Sequence, residues 1–512
     1  MFKKIKERIQ KYKEPFERWL PPVRLGIILL AFVTIFTLFV PPVNGPVDDG
    51  SYNMILHANG LREFMNDPNY YKYFVPQFPI LQYYNPDSHM YLSLQNILIQ
   101  AAIFLNKIFY STKIFDVRFL GAIYTVLFLG GARMLFKGLS YNLKGFKAYL
   151  MVMVGVFLLG DTTYTVYFNS FYAEPLNFIM MIYFVAFGLR AFQQTDTRKV
   201  LKYYSGQVLI SFLLMFVSKQ VSFLLSALCF SLIGGIVFIK GRQWKLSAII
   251  LVSALVPLSL FIGSLYSNPQ HNENVYQSMT LGAMPASKEP SKALAKIDVD
   301  PQNEILRGTS YSAPYAIARS NSATIQKDFI DELNYGKLVY YYLSHPSVAS
   351  NLLQMGLENK NVSQIKVSAY EKGAVKKGDE DKMFFQWGTI VKGAFLPKKF
   401  GFYILFAILV VSIYSVSMVR GMQMGSRLYL SRWFMNLGLL AMMFMSFFSP
   451  IIVSGETNLT RQLTMSSVLL DLLLLLIISD SLHHNIWINQ ETVLIAKAGG
   501  GDDDQQKSND NQ

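Results

Sequence analysis

The sequence predicts an all-α polytopic membrane protein: a bundle of about ten transmembrane helices carrying one large extracytoplasmic domain of mixed or mainly α character. Three observations predict it. More than half of the 512 residues are hydrophobic and 14% are aromatic. Apolar runs near 20 residues long recur along the chain, and about 20 residues span a bilayer core. The runs are continuous rather than alternating, which favours helices over a closed barrel. The basic N-terminus, residues 1–23, reads as cytoplasmic, and the run at 24–43 as an uncleaved signal anchor, too long for a signal core and without a small-residue cleavage site.

Charge sets the topology. The net charge is +14, yet Lys and Arg fall in short loops and tails between apolar runs. That is the pattern of cytoplasmic loops under the positive-inside rule, and it argues against a nucleic-acid binder. Arg133, Lys137, Lys144 and Lys147 place the loop 133–147 inside. Only an odd number of crossings joins an outer loop after the first span to that inner loop. The run 118–136 is a clear span, so 91–110, with Gln95, Asn96, Gln100 and Lys107, reads as an amphipathic helix on the outer surface. Further spans follow at 148–160, 174–190, two within 205–240 on either side of Ser218-Lys219-Gln220, and 246–265. Thus 24–265 forms an N-terminal transmembrane module with an outer loop at 44–117. Residues 266–398 form the extracytoplasmic domain. Spans at 401–419, 430–450 and 464–480 lie in a C-terminal transmembrane segment, 399–482, and 483–512 is a cytoplasmic tail with a low-complexity, disordered end. The single cysteine, Cys229, excludes an internal disulfide and favours a bacterial cell membrane over a eukaryotic secretory route.

Ionisable groups at membrane depth are costly and mark function by default. Here they gather at the outer ends of spans. Asp48 and Asp49 follow the first span, Asp161 the third, and Glu174 opens the fourth. Lys219 sits at an outer hairpin, and Glu456 and Arg461 lie outside the last pair of spans. A pocket with carboxylates on one wall and cations on another suits a phosphate-linked donor. Cations stabilise charge developing on leaving phosphate oxygens, and a carboxylate serves as base toward an acceptor hydroxyl. Each residue also has a plain reading. Asp48-Asp49-Gly50 is a turn sequence, Lys219 and Arg461 can snorkel, and Glu174-Pro175 is a good helix start. No His/Cys cluster has metal-ligand spacing and there is no Walker loop, so no cofactor is certain and a divalent metal stays open.

The segment Asp48-Asp49-Gly50-Ser51-Tyr52 resembles the Asp-Glu-x-x-Tyr of the GT-C superfamily of polytopic glycosyltransferases, which includes protein O-mannosyltransferases and the aminoarabinose transferase of lipid A. Asp116-Val117-Arg118 resembles the Arg that opens that group's second span, and Ser218-Lys219 its Thr-Lys at an outer hairpin. The stretch Tyr167 to Pro175, containing Asn169, resembles bacterial glycan-biosynthesis hexose transferases, as do Tyr342 to Pro346 and Phe385 to Gly388. The first acidic pair departs from the pattern by being Asp-Asp, and a counterpart of the mannosyltransferases' His-Pro-Pro is missing. The resemblance implies a GT-C-like bundle and an inverting transfer of a sugar from a polyprenyl-phosphate donor to an envelope glycan, lipid or protein acceptor. Asp48 would be the base, Asp49 would assist it, and Lys219 and Arg461 would hold the donor phosphate. Tyr52, Asp161, Asn169, Glu174 and Glu456 would line the pocket. Membrane lipids are the surrounding partners. The competing class is a transporter or flippase for lipid-linked or anionic solutes. The lack of internal repeats, the one-sided charges and the large outer domain weigh against it.

The topology has a direct check. A cysteine at position 345 is expected to react with a membrane-impermeant reagent added outside, and one at position 142 to stay protected. Labelling at 142 alone would invert the topology.

Overall fold

The structure is a computed structural model. It describes residues 17, 19–48, 52–63, 70, 73–82, 93–194, 196–217, 229–237, 239, 242–265, 269–309, 311, 322–352, 354, 368–374, 390–391, 399–454 and 463–484. The chain is mostly helical, and the described strands are four three-residue pieces. Seven described helices are long and apolar enough to cross a membrane. These are α1 (Pro22–Phe39), α4 (Arg118–Leu139), α7 (Glu174–Phe192), α10 (Arg242–Leu265), α14 (Phe400–Gln423), α15 (Leu428–Ser454) and α16 (Thr464–Leu482). An eighth is reached if α5 (Phe146–Leu159) and the segment Thr162–Asn169, bent by 48° from it, count as one span. The two remaining expected spans fall elsewhere. The run starting at 205 belongs to α8 (Thr197–Leu214), whose first turns carry Arg198, Lys199 and Lys202. The next lies largely outside the described residues, with α9 (Cys229–Ile236) its described part.

Local chemistry explains the helix ends. Pro22 and Pro175 occupy first-turn positions where a missing N–H costs nothing. Asp196 caps α8 by accepting the Arg198 N–H at 2.9 Å. The amphipathic helix expected at 91–110 is α3 (Leu94–Phe109), 16 residues long and capped by Ser93. At 1.5 Å per residue it reaches roughly 24 Å, short of a bilayer core. It buries Gln95, Ile99, Ile103 and Asn106 against the bundle and leaves Ile97, Phe104 and Phe109 exposed.

Small residues let the spans approach. A Cβ on Gly26 would meet Val152 and Phe136, and one on Gly155 would meet Phe136 from the other side, so the Phe136 ring fills the seam of α1, α4 and α5. Gly234 of α9 rests on Ser431, and Ser231 donates its hydroxyl to the Met435 carbonyl of α15 at 3.0 Å. Two antiparallel ribbons sit at one end of the bundle. β1 (Asn44–Pro46) pairs with β4 (Ser368–Tyr370) in the register Asn44↔Tyr370. β2 (Gln77–Pro79) pairs with β3 (Ile114–Asp116) in the register Gln77↔Asp116. Residues 269–309 and 322–352 form short helices, among them α11 (Pro269–Gln277), α12 (Pro290–Ala295) and α13 (Tyr335–Ser344), around Tyr276, Leu294, Phe329 and Tyr341.

The C-terminal spans are joined by a buried ion pair. Arg432 at the start of α15 lies 3.3 Å from Asp480 near the end of α16, and Tyr414 of α14 donates its hydroxyl to the same carboxylate at 2.8 Å. Arg432 also stacks over the Phe192 ring of α7 at 6.0 Å. Removing one member of such a pair strands the other, at a cost of about 3–5 kcal/mol. Asp480→Asn is therefore expected to lower the thermal unfolding midpoint in micelles strongly. The double change Arg432→Met with Asp480→Leu is expected to recover most of it. Equal midpoints for Asp480→Asn and the unaltered protein would remove this pair from the account of stability.

Candidate functional site

The site grows from the break after the first span. Pro41 and Pro42 stop α1, and the chain turns into β1. Asn169, fully buried at the end of the bent helix pair, donates its side-chain amide to the carbonyls of Leu38 and Asn44, both at 3.0 Å. Tyr172 donates its hydroxyl to the Val47 carbonyl at 2.8 Å, and Gln95 from α3 donates to the carbonyls of Phe171 and Tyr172 at 2.7 and 2.8 Å. A Cβ on Gly45 would lie 2.2 Å from the Phe74 ring, so only glycine fits there. The segment leading to Asp48 is thus held on several sides.

Asp48 is 6% exposed. One oxygen accepts the Tyr52 N–H at 3.2 Å as α2 (Tyr52–Ala58) begins, and the other accepts the Tyr70 hydroxyl at 3.0 Å. The Tyr52 ring packs among Tyr172 at 4.7 Å, Phe171 at 5.3 Å and Phe78 at 6.5 Å. Burial pushes the Tyr52 hydroxyl well above its ordinary pKa, and Tyr172, Asp48 and Tyr70 add to the rise. Glu63, half-buried, lies within electrostatic reach of the same carboxylate. Its pKa is raised above the usual carboxylate range first by burial and then by the charge of Asp48, with His57 opposing. Asp48, Glu63, His57, Tyr52 and Tyr70 therefore form one polar cluster over an aromatic floor.

A cation stands close in the fold. Arg118, the first residue of α4, clasps Asp116 with two side-chain bonds of 2.9 and 2.6 Å. Its side chain is about one-third exposed and faces a cleft of about 480 Å³ lined by Pro41, Pro42, Val75, Gln77 and Glu371. The cleft touches the chain at Val43, five residues before Asp48. It is electrostatically mixed, since Arg118 shares it with Glu371.

The other expected residues divide. Asn169 belongs to the support of Asp48. Asp161 is buried and caps the turn Thr162–Thr165, accepting the Thr163 N–H at 2.9 Å. It lies within electrostatic reach of Tyr164, whose hydroxyl donates to Asp471 of α16 at 2.7 Å. Asp161 thus also faces a second, deeper pair. Glu174 opens α7 as its first acidic residue, half-buried. Asp49, Lys219, Glu456 and Arg461 lie outside the described residues. Among the described residues no group of three His, Cys, Asp or Glu side chains could hold a metal ion. Sequence reasoning missed Glu63, Tyr70 and Asp471, and held Tyr172 only as an unassigned member of the stretch Tyr167 to Pro175. Asp471 alone carried a signal, a carboxylate in the middle of an apolar run.

Helices long enough to span a membrane, with a buried polar cluster at one end, define a polytopic helical membrane protein. The model of the YfdI N-terminal transmembrane domain family matches residues 5–507, and the chain belongs to that family. No curated protein and no solved structure matches it.

The support of Asp48 can be measured. A Cβ on Gly121 would lie 2.3 Å from the Asn169 side-chain oxygen. Asn169→Ala leaves two buried carbonyls unbonded, and Gly121→Ala pushes the amide away from them. Each is expected to cost about 1–3 kcal/mol. Thermal unfolding of either variant at the temperature of the unaltered protein would show that Asn169 does not hold this junction.

Proposed function

We propose that this chain is an inverting glycosyltransferase of the GT-C type. It takes a sugar from a polyprenyl-phosphate donor and passes it to an envelope glycan, lipid or protein acceptor at the outer face of a bacterial plasma membrane. The observation that carries this reading is the setting of Asp48. It is a buried carboxylate in the segment that follows the first span and β1, fixed by the Tyr52 N–H and the Tyr70 hydroxyl, with a second carboxyl, Glu63, within its electrostatic reach.

In this reading the acceptor hydroxyl gives its proton to Asp48 as its oxygen attacks the anomeric carbon. The bond from that carbon to the phosphate oxygen breaks, and its electron pair leaves with the polyprenyl phosphate. The configuration inverts because acceptor and leaving group occupy opposite faces. Lys219 and Arg461 meet the charge on the leaving phosphate, with Arg118 a further cation already fixed at this end of the bundle. Fixed cations cost no reorganisation as that charge develops. Asp49 orients the acceptor or its loop. A transporter reading draws on one observation, the buried Asp161, Tyr164 and Asp471 within the bundle. It predicts solute or lipid movement without glycosidic bond formation.

The test is release of polyprenyl phosphate by purified protein given a set of polyprenyl-phosphate sugars. Asp48→Asn is expected to lower turnover by about 10²–10⁴-fold while donor binding and folding persist. Normal transfer by Asp48→Asn, or lipid movement with no sugar transfer, defeats the transferase reading.

A further inference from the structure

The end of the bundle away from Asp48 carries a second cavity. α8 and α10 diverge there and leave a cleft of about 440 Å³, walled by Leu201, Val208, Phe212, Trp244, Ala248 and Leu255. Its polar atoms are already engaged. The Ser205 and Ser247 hydroxyls return to the carbonyls of Lys202 at 2.9 Å and Gln243 at 3.0 Å, and the Tyr204 hydroxyl donates to the Leu232 carbonyl at 3.1 Å. The wall therefore offers hydrocarbon contact alone. From Leu201 to Phe212 it rises roughly 16 Å along the helix, about half of a ~30 Å bilayer core. That is the depth of one leaflet. The cleft opens on the bundle's flank, where Leu209 and Trp244 are 55% and 65% exposed.

The rim is basic. Positions 198, 201, 205, 208 and 212 follow one stripe of α8, so Arg198 stands one turn beyond the apolar wall. Lys202 flanks Ser205, and Lys245 lies one turn before Ala248 on α10. Arg198 and Lys202 are exposed and Lys245 is half-buried. None of the three makes an ion pair among the described residues. The neighbouring acid, Asp196, is turned to its capping bond with the Arg198 N–H. An indole at the mouth and cations just beyond it match the order of a lipid read outward, from chain to interface to phosphate.

We propose that this cleft is a binding site for an anionic diacyl phospholipid, with an acyl chain between α8 and α10 and the headgroup phosphate on Arg198, Lys202 and Lys245. The site is separate from Asp48 and does not depend on the transferase reading. The full chain is reconstituted in phosphatidylcholine nanodiscs containing a minor fraction of phosphatidylglycerol, and bound lipid per protein is counted by native mass spectrometry. Phosphatidylglycerol is expected to be retained above its share of the bilayer. Each cation changed to alanine is expected to weaken that retention about five-fold. Ala248→Trp fills the apolar wall without changing charge and is expected to expel the lipid as well. Thermal unfolding of each variant verifies that it is folded. Equal retention of both lipids, unchanged retention in Arg198→Ala/Lys202→Ala/Lys245→Ala, or unchanged retention in folded Ala248→Trp overturns the site. Displacement of phosphatidylglycerol by polyprenyl phosphate at equal mole fraction would assign the cleft to the carrier lipid and overturn the phospholipid assignment.

Discussion

Asn169 donates the two hydrogens of one side-chain amide to backbone carbonyls on either side of the Pro41–Pro42 break. A chain leaving a membrane-spanning helix must satisfy its last carbonyls, and two prolines in succession remove the N–H groups that could otherwise help continue the ladder. The amide answers this from a distant part of the sequence, and so fixes the direction in which the chain leaves α1. Everything at the Asp48 end inherits that direction. β1 meets β4, Gly45 closes on Phe74, and Asp48 reaches the start of α2. Gly121 keeps α4 close enough for the amide to sit where it does. The polar cluster thus rests on a packing condition in the bundle, set several residues away from any group that could act on a substrate.

The helical bundle was legible because long apolar runs carry their own signal, independent of tertiary contacts. All seven long spans begin or end close to the runs read from hydropathy, and α3 has the short amphipathic form that loop charges required of 91–110. α10 begins earlier than its run, because Arg242 and Lys245 are absorbed into its first turns. Asp48 and Tyr52 were singled out together through the resemblance to Asp-Glu-x-x-Tyr, and the structure adds the bond between the Asp48 carboxylate and the Tyr52 N–H. Glu63 and Tyr70 were not. They arrive through chain reversals and ring packing that leave no period in the sequence. Arg432 and Asp480 were hidden differently. Each lies near the end of an apolar run, where a charge reads as the beginning of a loop, and only the antiparallel arrangement of α15 and α16 brings the two ends together.

The described carboxylates differ in what holds them. Asp116 is clasped bidentately by Arg118, and Asp480 sits against Arg432. Both carboxylates are committed to an ion pair that fixes neighbouring elements. Asp161 spends an oxygen on a helix N-terminus. The two bonds described for Asp48 come from neutral donors, a backbone N–H and a phenol, while a neighbouring carboxyl adds negative potential. Neutral donors orient the group without themselves cancelling its charge. The proposed role of Asp48 as base toward an acceptor hydroxyl would draw on that fixed geometry.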